Sequence, residues 1–432
     1  MKFTILTTAL VMAGYATAVP MVNPNSFSDG GYVAPLYAPM EAEAVRGSYI
    51  VVLKNNLSVQ QVENHAEWIS SMSAAYSFNN GGDYLDGTNE QGINHVYEMP
   101  SFKGYSGKFD KKLLDAIRQS DEVAYVEEDS VVYASELQRG APWGLARIST
   151  RNRLSLRNFN KYNYDANSAG EGVKVYVIDT GINIDHVDLE GRAIWGKTIP
   201  KNDEDVDGNG HGSHCSGTIG GKKYGVAKKS IPVAVKVLAS NGSGSMSDVV
   251  KGVDWATSDF LKDKKAALQS GKKFKGSAAN MSLGGGKSPS LDATVNGAVD
   301  AGLVFAVAAG NDNKDACGYS PARAEKAITV GASTIFDERA YFSNFGKCVD
   351  VFAPGLNIES IWNTNKRATN TISGTSMASP HVAGLAAYLL ALSEPGTTPK
   401  EIKKQLLELS TPNVFKDLPK DTPNLLIYNG FE

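Results

Sequence analysis

At residues 173–181 the chain reads Val-Lys-Val-Tyr-Val-Ile-Asp-Thr-Gly, an almost continuous β-branched and apolar run that ends in an acid. Comparable apolar runs follow at residues 233–238, 279–283, 303–308 and 327–330. Segments with helical spacing lie between them, for example at 246–260 and 290–301. Apolar strands that are buried on both faces and alternate with helices predict a doubly wound α/β fold with a mostly parallel sheet.

The chain before this α/β region has a different pattern. Strand-like stretches at residues 47–54, 95–99 and 123–126 alternate with helical stretches at 58–76 and 111–120. We therefore predict a small α+β domain over residues 47–134, followed by a large α/β domain over residues 139–432.

The first 46 residues precede both predicted domains. Lys2, the mostly apolar stretch after it and the small-x-small ending Ala16-Thr-Ala18 are typical of a secretory signal peptide over residues 1–18. Residues 19–46 are rich in Pro, Ala, Gly and Asn and are predicted to form a disordered spacer. No later stretch approaches about 20 consecutive apolar residues, so we expect no membrane association once the signal is removed.

Charge and cysteine content narrow the function classes. The 432-residue chain has a formal net charge of -3, which gives no global basic field for nucleic acid or an anionic membrane. In a secreted chain, the three cysteines Cys215, Cys317 and Cys348 suggest one disulfide and one free thiol. Cys215 follows His211 by four residues, so we expect it on the same helix face, buried beside that imidazole.

Four polar residues stand at glycine-flanked positions where strands end or helices begin. They are Asp179, His211, Asn311 and Ser376. Taken singly, each of them can be explained by a structural role, as a turn cap, a loop residue or a helix N-cap. Together they supply an acid, a base, an amide donor and a hydroxyl at the edge of an α/β sheet where ligands bind.

This set of residue types suits nucleophilic catalysis. A serine hydroxyl such as that of Ser376 becomes a useful nucleophile when a base such as His211 takes its proton. A buried carboxylate, here Asp179, holds the imidazole in the right tautomer and stabilises the imidazolium. The side-chain amide of Asn311 and the backbone N–H of Ser376 would form the oxyanion hole.

The chain order Asp, His, Ser and the surrounding motifs resemble the subtilisin-like serine proteases, in particular their proteinase K branch. The motifs are Gly140-Ala-Pro-Trp-Gly-Leu-Ala-Arg-Ile148, Tyr224-Gly-Val-Ala-Lys-Lys229 and Gly374-Thr-Ser-Met-Ala-Ser-Pro-His-Val-Ala-Gly384. Residues 194–200, 280–289 and 348–355 are most similar to the cerevisin-type vacuolar endopeptidases of fungi. The resemblance covers about residues 141–429 and implies a subtilisin-like fold. Residues 47–133 resemble the inhibitor-like propeptide of the same family.

The resemblance also implies binding residues. Ser282, Leu283 and Gly284 would pair with the main chain of the substrate. Ala308, Ala309 and Gly310 would form the floor of the S1 pocket and leave room for a large apolar or aromatic P1 side chain. Residues 240–245, which include Gly242, would form the opposite wall of that pocket.

Two structural features are implied in the same way. Cys317 and Cys348 would form the disulfide. Asp350 corresponds to a calcium ligand, and the carbonyl groups of Glu325 and Ala327 would complete the protein ligands of a structural calcium ion. No cofactor is expected for the chemistry itself.

The sequence thus predicts a serine endopeptidase of broad specificity, made as a zymogen that processes itself and acting as a monomer. Its expected partners are protein and peptide substrates, with its own prodomain as an intramolecular inhibitor. A vacuolar destination is favoured, an extracellular one is the alternative, and Asn56 begins the favoured glycosylation sequon. The competing hypothesis is a catalytically silent family member that acts as a binding or regulatory protein.

Overall fold

The computed structural model describes residues 32–38, 44–79, 92–99, 102–130, 135–166 and 168–431. The chain divides after Tyr133 into two compact units. The predicted signal peptide and most of the predicted spacer lie outside the described residues. Among the helices that are described, none is both long and apolar enough to cross a membrane.

The first unit has the α+β architecture that its alternating patterns predict. Its described elements are β1 (Leu36–Tyr37), β2 (Ala44–Leu53), α1 (Val59–Asn79), β3 (Gly92–Met99), β4 (Phe102–Lys108), α2 (Lys111–Arg118) and β5 (Val123–Ser130). These strands form one sheet in the order β1-β5-β2-β4-β3, in which β1 and β5 are parallel and the other pairs antiparallel. Val62 of α1 and Leu113 of α2 lie in the apolar core that both helices form with the sheet.

One stretch differs from the predicted disordered spacer. Leu36–Tyr37 pairs with β5, and Ala34 is fully buried. The Ala34 N–H donates to the carbonyl of Arg118 at 2.7 Å, and the Arg118 guanidinium donates back to the Ala34 carbonyl at 2.8 Å. Order therefore begins earlier than composition indicates, because backbone groups of this stretch find partners on α2 and β5.

The second unit contains the predicted α/β region. Its elements begin with β6 (Ser135–Arg139), α3 (Trp143–Ile148), β7 (Lys161–Asp165), β8 (Lys174–Asp179), β9 (Ile194–Thr198), α4 (His211–Gly220), β10 (Ile231–Lys236), α5 (Met246–Gln269), β11 (Ser277–Met281) and β12 (Gly285–Gly286). They continue with α6 (Pro289–Ala301), β13 (Leu303–Ala308), β14 (Tyr319–Ser320), β15 (Ile328–Ser333), β16 (Val351–Pro354), β17 (Ile358–Ile361), β18 (Thr369–Ile372), α7 (Thr375–Leu392), α8 (Pro399–Leu409), β19 (Thr411–Pro412) and β20 (Leu425–Leu426). Two short 3-10 helices, Val187–Leu189 and Ala316–Gly318, lie in the connections.

The main sheet of this unit follows the order β19-β20-β16-β15-β13-β11-β8-β10-β9, and β19 with β20 is its antiparallel pair. Helices α4, α7 and α8 cover one face, while α5 and α6 cover the other. Within β8, Val175 and Val177 pack toward the first face, and Tyr176 and Ile178 toward the second. A strand buried on both faces reads as a continuous apolar run, so the doubly wound, mostly parallel fold is confirmed.

This topology places the predicted site residues at one edge of the sheet. Asp179 is the last residue of β8, Ser282 follows β11, and Asn311 follows β13. The three strands run parallel and adjacent in the sheet order, so their carboxyl ends meet at the same edge. His211 opens α4 and Ser376 is the second residue of α7.

Candidate active site

Asp179 and His211 form a hydrogen-bonded pair at this edge. The Asp179 side chain is fully buried, whereas the His211 side chain is 25% exposed. Nδ1 of His211 lies 2.8 Å from Oδ1 and 2.9 Å from Oδ2 of the carboxylate. Oδ1 also accepts the backbone N–H of Thr180 at 2.7 Å, which fixes the carboxylate. With Nδ1 turned toward Asp179, the ring directs Nε2 to its opposite side.

Burial and the neighbouring carboxylates act on the pKa of His211 in opposite directions. Burial acts to lower the pKa of His211, because desolvation penalises the imidazolium. The charge and hydrogen bond of Asp179, together with the charge of Asp207, act in the opposite direction and raise the pKa above 6.5. The pair is therefore built to stabilise a proton that arrives on the imidazole.

Asp207 is a site residue that the sequence analysis did not single out. Its carboxylate accepts five hydrogen bonds, from Thr180 Oγ1, the backbone N–H groups of Asn209 and Gly210, and both the N–H and the hydroxyl of Ser213. Several of these donors belong to the loop and first turn that carry His211. The signal in the sequence was an acid four residues before a helix start, where carboxylates satisfy free N–H groups.

Ser376 is held against the residue that follows β11. Its Oγ donates to the Ser282 carbonyl at 3.0 Å, and the Ser282 hydroxyl donates to the Ser376 carbonyl at 2.8 Å. Asn280 extends this network, since its amide donates to the Ser282 hydroxyl and its Oδ1 accepts from Ser379. The start of α7 is thus fixed to the carboxyl end of β11.

Two N–H donors border one space beside Ser376. Oδ1 of Asn311 accepts both the N–H and the hydroxyl of Thr375, at 2.8 and 2.9 Å, so its amide nitrogen faces away from Thr375. A Cβ atom placed on Gly374 would lie 3.5 Å from Ser376 N and 3.6 Å from Asn311 Nδ2. Both nitrogen atoms therefore lie close to one point beside Gly374, which is the kind of convergence that an oxyanion hole needs.

Cys215 lies beneath the pair on α4 and is fully buried, as its spacing from His211 predicts. Its Sγ is 3.4 Å from the Ser376 carbonyl oxygen and 4.0 Å from Asp179 Oδ2. Burial, followed by the charge of Asp179, raises the pKa of the thiol. The cysteine is therefore a packing residue at neutral pH, not a thiolate.

The predicted substrate segment separates two cavities. One, of about 450 Å³, is lined by His211, Ser282, residues 242–246 and others. The second, of about 370 Å³, is lined by Ser376, residues 308–312 and others. Leu283 and Gly284 line both cavities.

This arrangement corrects one expectation. Ala308, Ala309 and Gly310 lie with Ser376 in the second cavity, as an S1 floor would. Gly242 and its neighbours in the 240–245 loop line the first cavity, on the other side of the substrate segment. The loop is therefore not the opposite wall of the pocket formed by Ala308–Gly310. The cause is that Leu283 and Gly284 stand between the two groups.

The disulfide implied by the family resemblance is present, because Cys317 and Cys348 are bonded.

The proposed calcium ligands also converge. However, the cation they surround is the Lys403 ammonium, which lies 2.9 Å from Asp350 Oδ2 and 2.7 Å from the Ala327 carbonyl oxygen. As arranged here, the oxygen set does not fit a calcium ion, because the ammonium takes the central position.

Comparison with known proteins agrees with this geometry. The Subtilase family (Peptidase_S8) matches residues 170–423, and the Peptidase inhibitor I9 family matches residues 48–135. The subtilisin-like serine protease Pen c 2 of Penicillium citrinum is 53% identical, over 98% of this chain and 95% of that protein. Alkaline protease 2 of Aspergillus fumigatus (strain Af293) is 54% identical, over 92% of this chain and 84% of that protein.

A solved structure gives the same result. The crystal structure of a cold adapted subtilisin-like serine proteinase superposes on this chain with a TM-score of 0.59 and shares 46% sequence identity with it. The match covers 67% of this chain and 98% of the chain in that crystal structure. Most of the chain thus has close relatives that are named as proteases. The chain belongs to the subtilase family: it is a subtilisin-like serine protease that carries an I9 inhibitor domain ahead of its protease domain.

Proposed function

We propose that this protease cleaves peptide bonds with Ser376 as nucleophile, His211 as general base and acid, and Asp179 as the group that orients and stabilises the imidazole. The observation that carries the proposal is the hydrogen bond from His211 Nδ1 to the buried Asp179 carboxylate. It fixes the tautomer in which Nε2 can accept a proton.

The reaction begins when the Ser376 hydroxyl turns from the Ser282 carbonyl to His211 Nε2. Oγ then forms a bond to the scissile carbonyl carbon while its proton moves to Nε2. The carbonyl oxygen becomes an oxyanion and accepts hydrogen bonds from Ser376 N–H and Asn311 Nδ2. The C–N bond breaks as His211 returns the proton to the leaving amine, which leaves an acyl-enzyme on Ser376.

A water molecule completes the cycle. His211 takes one proton from the water, and the resulting hydroxide oxygen bonds to the acyl carbon. The second tetrahedral intermediate uses the same two donors, and its collapse breaks the ester bond and returns the proton from His211 to Ser376 Oγ. The products are a carboxylic acid and the restored Ser376 hydroxyl.

The two cavities support a proposal about substrate selection. We expect the segment of Ser282, Leu283 and Gly284 to pair with substrate main chain, which gives broad specificity because backbone groups are common to all peptides. The second cavity has Ala308, Ala309 and Gly310 in its lining, and these small residues support a large apolar or aromatic P1 side chain. Cleavage-site mapping on a peptide library, with Phe, Leu, Ala and Lys compared at P1, tests this preference.

The I9 domain supports synthesis as a zymogen that processes itself, with the prodomain as inhibitor. Cleavage is expected between Tyr133 and Arg139. The backbone of β6, at residues 135–139, pairs with β7 of the second unit, so a cut at the amino end of β6 would leave that pairing intact. N-terminal sequencing of the mature protein tests the position, and a cut outside residues 133–139 would contradict it.

The cellular setting is also a proposal. We propose that the chain is secreted into the endomembrane pathway as a soluble monomer and is delivered to the vacuole, with the extracellular space as the alternative. Asn56 lies exposed in the turn between β2 and α1, which supports glycosylation there. The buried Asn280 should remain unmodified.

A casein-hydrolysis assay with and without a serine-directed phosphonyl inhibitor tests the function as a whole. We expect hydrolysis that the inhibitor abolishes, with the phosphonyl group on Ser376. A purified, processed protein that binds casein without cleaving it would instead identify a catalytically silent binding protein.

A further inference from the structure

Lys403 places its ammonium group among three oxygen atoms. Its Nζ donates to the Ala327 carbonyl at 2.7 Å, to Asp350 Oδ2 at 2.9 Å and to the Glu325 carbonyl at 3.4 Å. A lysine ammonium has three N–H donors, and each of them meets one of these oxygens. They are the same three groups that the family resemblance implies as calcium ligands.

The oxygens belong to the segments that lead into two neighbouring parallel strands. Ala327 directly precedes β15 and Asp350 directly precedes β16. The Thr329 N–H donates to Asp350 Oδ2 at 2.8 Å, and the Asp350 N–H donates to the Thr329 carbonyl at 2.9 Å. The carboxylate is therefore fixed to both strand starts before any cation is added.

The helix α8 delivers the ammonium at a fixed position. Ile402 and Leu406 of this helix are fully buried in the main apolar core. Thr398 and Glu401 form a capping box that fixes its first turn. The Lys403 and Asp350 side chains are 21% and 25% exposed, so their charges are partly shielded from water.

We propose that Lys403 is a built-in cation that replaces calcium at this position, and that removing its charge opens a latent calcium site. One ammonium balances one carboxylate, and a calcium ion at the same point would be repelled by the ammonium at close range. Calcium also requires six to eight oxygen ligands at about 2.3–2.6 Å, a space that the ammonium fills here.

The replacement has a consequence for stability. The free energy by which a bound ion stabilises the folded state rises with the logarithm of its free concentration relative to its dissociation constant, and it vanishes when the ion is removed. A tethered ammonium is present at every calcium concentration. The junction of α8, β15 and β16 should therefore be held equally well in calcium and in chelator.

Thermal unfolding of the full chain tests the proposal, in a Ser376→Ala background that prevents self-digestion. The variants are Lys403→Met, which keeps most of the stem and removes the charge, Asp350→Asn, and the double change. Lys404→Met is the matched control, because Lys404 is the next residue of the same helix and its side chain is 73% exposed. Each protein is measured in millimolar calcium and in EGTA.

We expect Lys403→Met to lose roughly 2–4 °C of Tm in EGTA and to regain it in calcium. The gain in calcium should vanish in the double variant with Asp350→Asn, and Lys404→Met should behave as the parent. A Lys403→Met protein that folds only in calcium would give the same support. Failure of calcium to raise its Tm, or to rescue its folding, would overturn the latent site.

The parent protein gives an independent answer if Lys403→Met does not fold. A calcium-dependent rise in Tm of the parent that Asp350→Asn removes would show that calcium displaces Lys403, and the replacement would be wrong. Absence of such a rise, or a rise that survives Asp350→Asn, supports it. Because the assay measures unfolding and not turnover, its result does not depend on the proposed catalytic roles.

Discussion

The two edges of the main sheet use charged side chains in opposite ways. At the carboxyl edge, Asp179 and His211 form a pair whose imidazole remains partly exposed, and N–H donors border an open space beside Gly374. At the amino edge, the ammonium of Lys403 is matched by three oxygens, and the carboxylate of Asp350 is satisfied by that ammonium and the backbone.

The difference separates catalysis from stability within one fold. Groups that stabilise a transition state must have capacity left for atoms of the substrate. Groups that only hold strands and helices together gain most when every donor and acceptor is paired. We therefore expect changes at the carboxyl edge to affect turnover far more than stability, and changes at the amino edge to do the reverse.

The largest effect is expected at Ser376. Ser376→Ala should reduce kcat by about 10⁶-fold, the order found when a triad serine is removed from a related protease, while the fold remains intact. Prodomain release should stop as well if it is self-cleavage. Casein hydrolysis, circular dichroism and gel analysis of the purified protein measure the three outcomes.

The matched control is Ser270→Ala, which removes an exposed hydroxyl at the end of α5 that donates to the Ala267 carbonyl of the same helix. It should retain parental activity. Normal removal of the prodomain from purified Ser376→Ala protein, with no other protease present, would rule out self-processing.

The next effect concerns Asn311. Asn311→Asp keeps the Oδ1 that accepts from Thr375 but loses the amide donor, whereas Asn311→Leu loses both. Both variants should lower kcat by about 10²–10³-fold with little change in KM, because the donor acts mainly on the oxyanion. Steady-state kinetics on a chromogenic peptide checks this, and a loss confined to KM would place Asn311 in ground-state binding instead.

The sequence predicted the carboxyl edge better than the amino edge, because the residues of the carboxyl edge lie in short motifs that can be recognised locally. Asp179, His211 and Ser376 each stand in a short glycine-bracketed motif that can be read within a few residues. Lys403 contacts Asp350 across 53 residues, and it lies in a helix with two exposed lysines, Lys400 and Lys404. Only the packing of α8 selects which lysine meets the oxygens.

The cleft also depends on contacts between distant residues that local motifs do not specify. The residues that line it were identified from motifs, but their distribution between cavities depends on how three loops meet in space. Gly242 lies on the opposite side of Leu283 from Ala308, which no local pattern specifies. The short strand at Leu36–Tyr37 was missed for a related reason, since its partners are on elements more than 80 residues later.

The disulfide links a segment near the carboxyl edge to a segment near the amino edge, so its removal tests which edge it serves. Cys317 follows Asn311 in the loop that leaves β13, and Cys348 precedes Asp350. Replacing both cysteines by serine should lower the free energy of unfolding by roughly 3–4 kcal/mol in the chain-entropy treatment. Denaturant unfolding of the inactive Ser376→Ala chain measures this.

Turnover under native conditions should change much less than stability in the active form of that double variant. The control is Cys215→Ser, which leaves the disulfide intact. If the double variant unfolded at the same denaturant concentration as its parent, the bond would contribute nothing to stability. If it lost turnover without losing stability, the bond would belong to the carboxyl edge.

The smallest expected effect is a shift in pH dependence at the carboxyl edge. His211 must be neutral to act as base, so kcat/KM should fall at low pH as the imidazole becomes protonated. The negative charge of Asp207 contributes to raising the pKa of His211, after the larger contribution of Asp179. Removing that charge in Asp207→Asn favours the neutral imidazole, so the acid limb of the profile should move to lower pH.

A shift of the midpoint to lower pH distinguishes the loss of the Asp207 charge from a loss of local structure in the same variant. Asp207→Asn also disturbs the hydrogen bonds to the first turn of α4, which would lower kcat at every pH without moving the midpoint. Asp205→Asn is the matched control, because this acid is exposed, two residues away, and bonds to Thr198 instead. A midpoint that moves in Asp207→Asn and stays in Asp205→Asn would show that a second carboxylate, besides Asp179, helps to set the working pH of the pair. An unmoved midpoint would reduce Asp207 to a structural anchor.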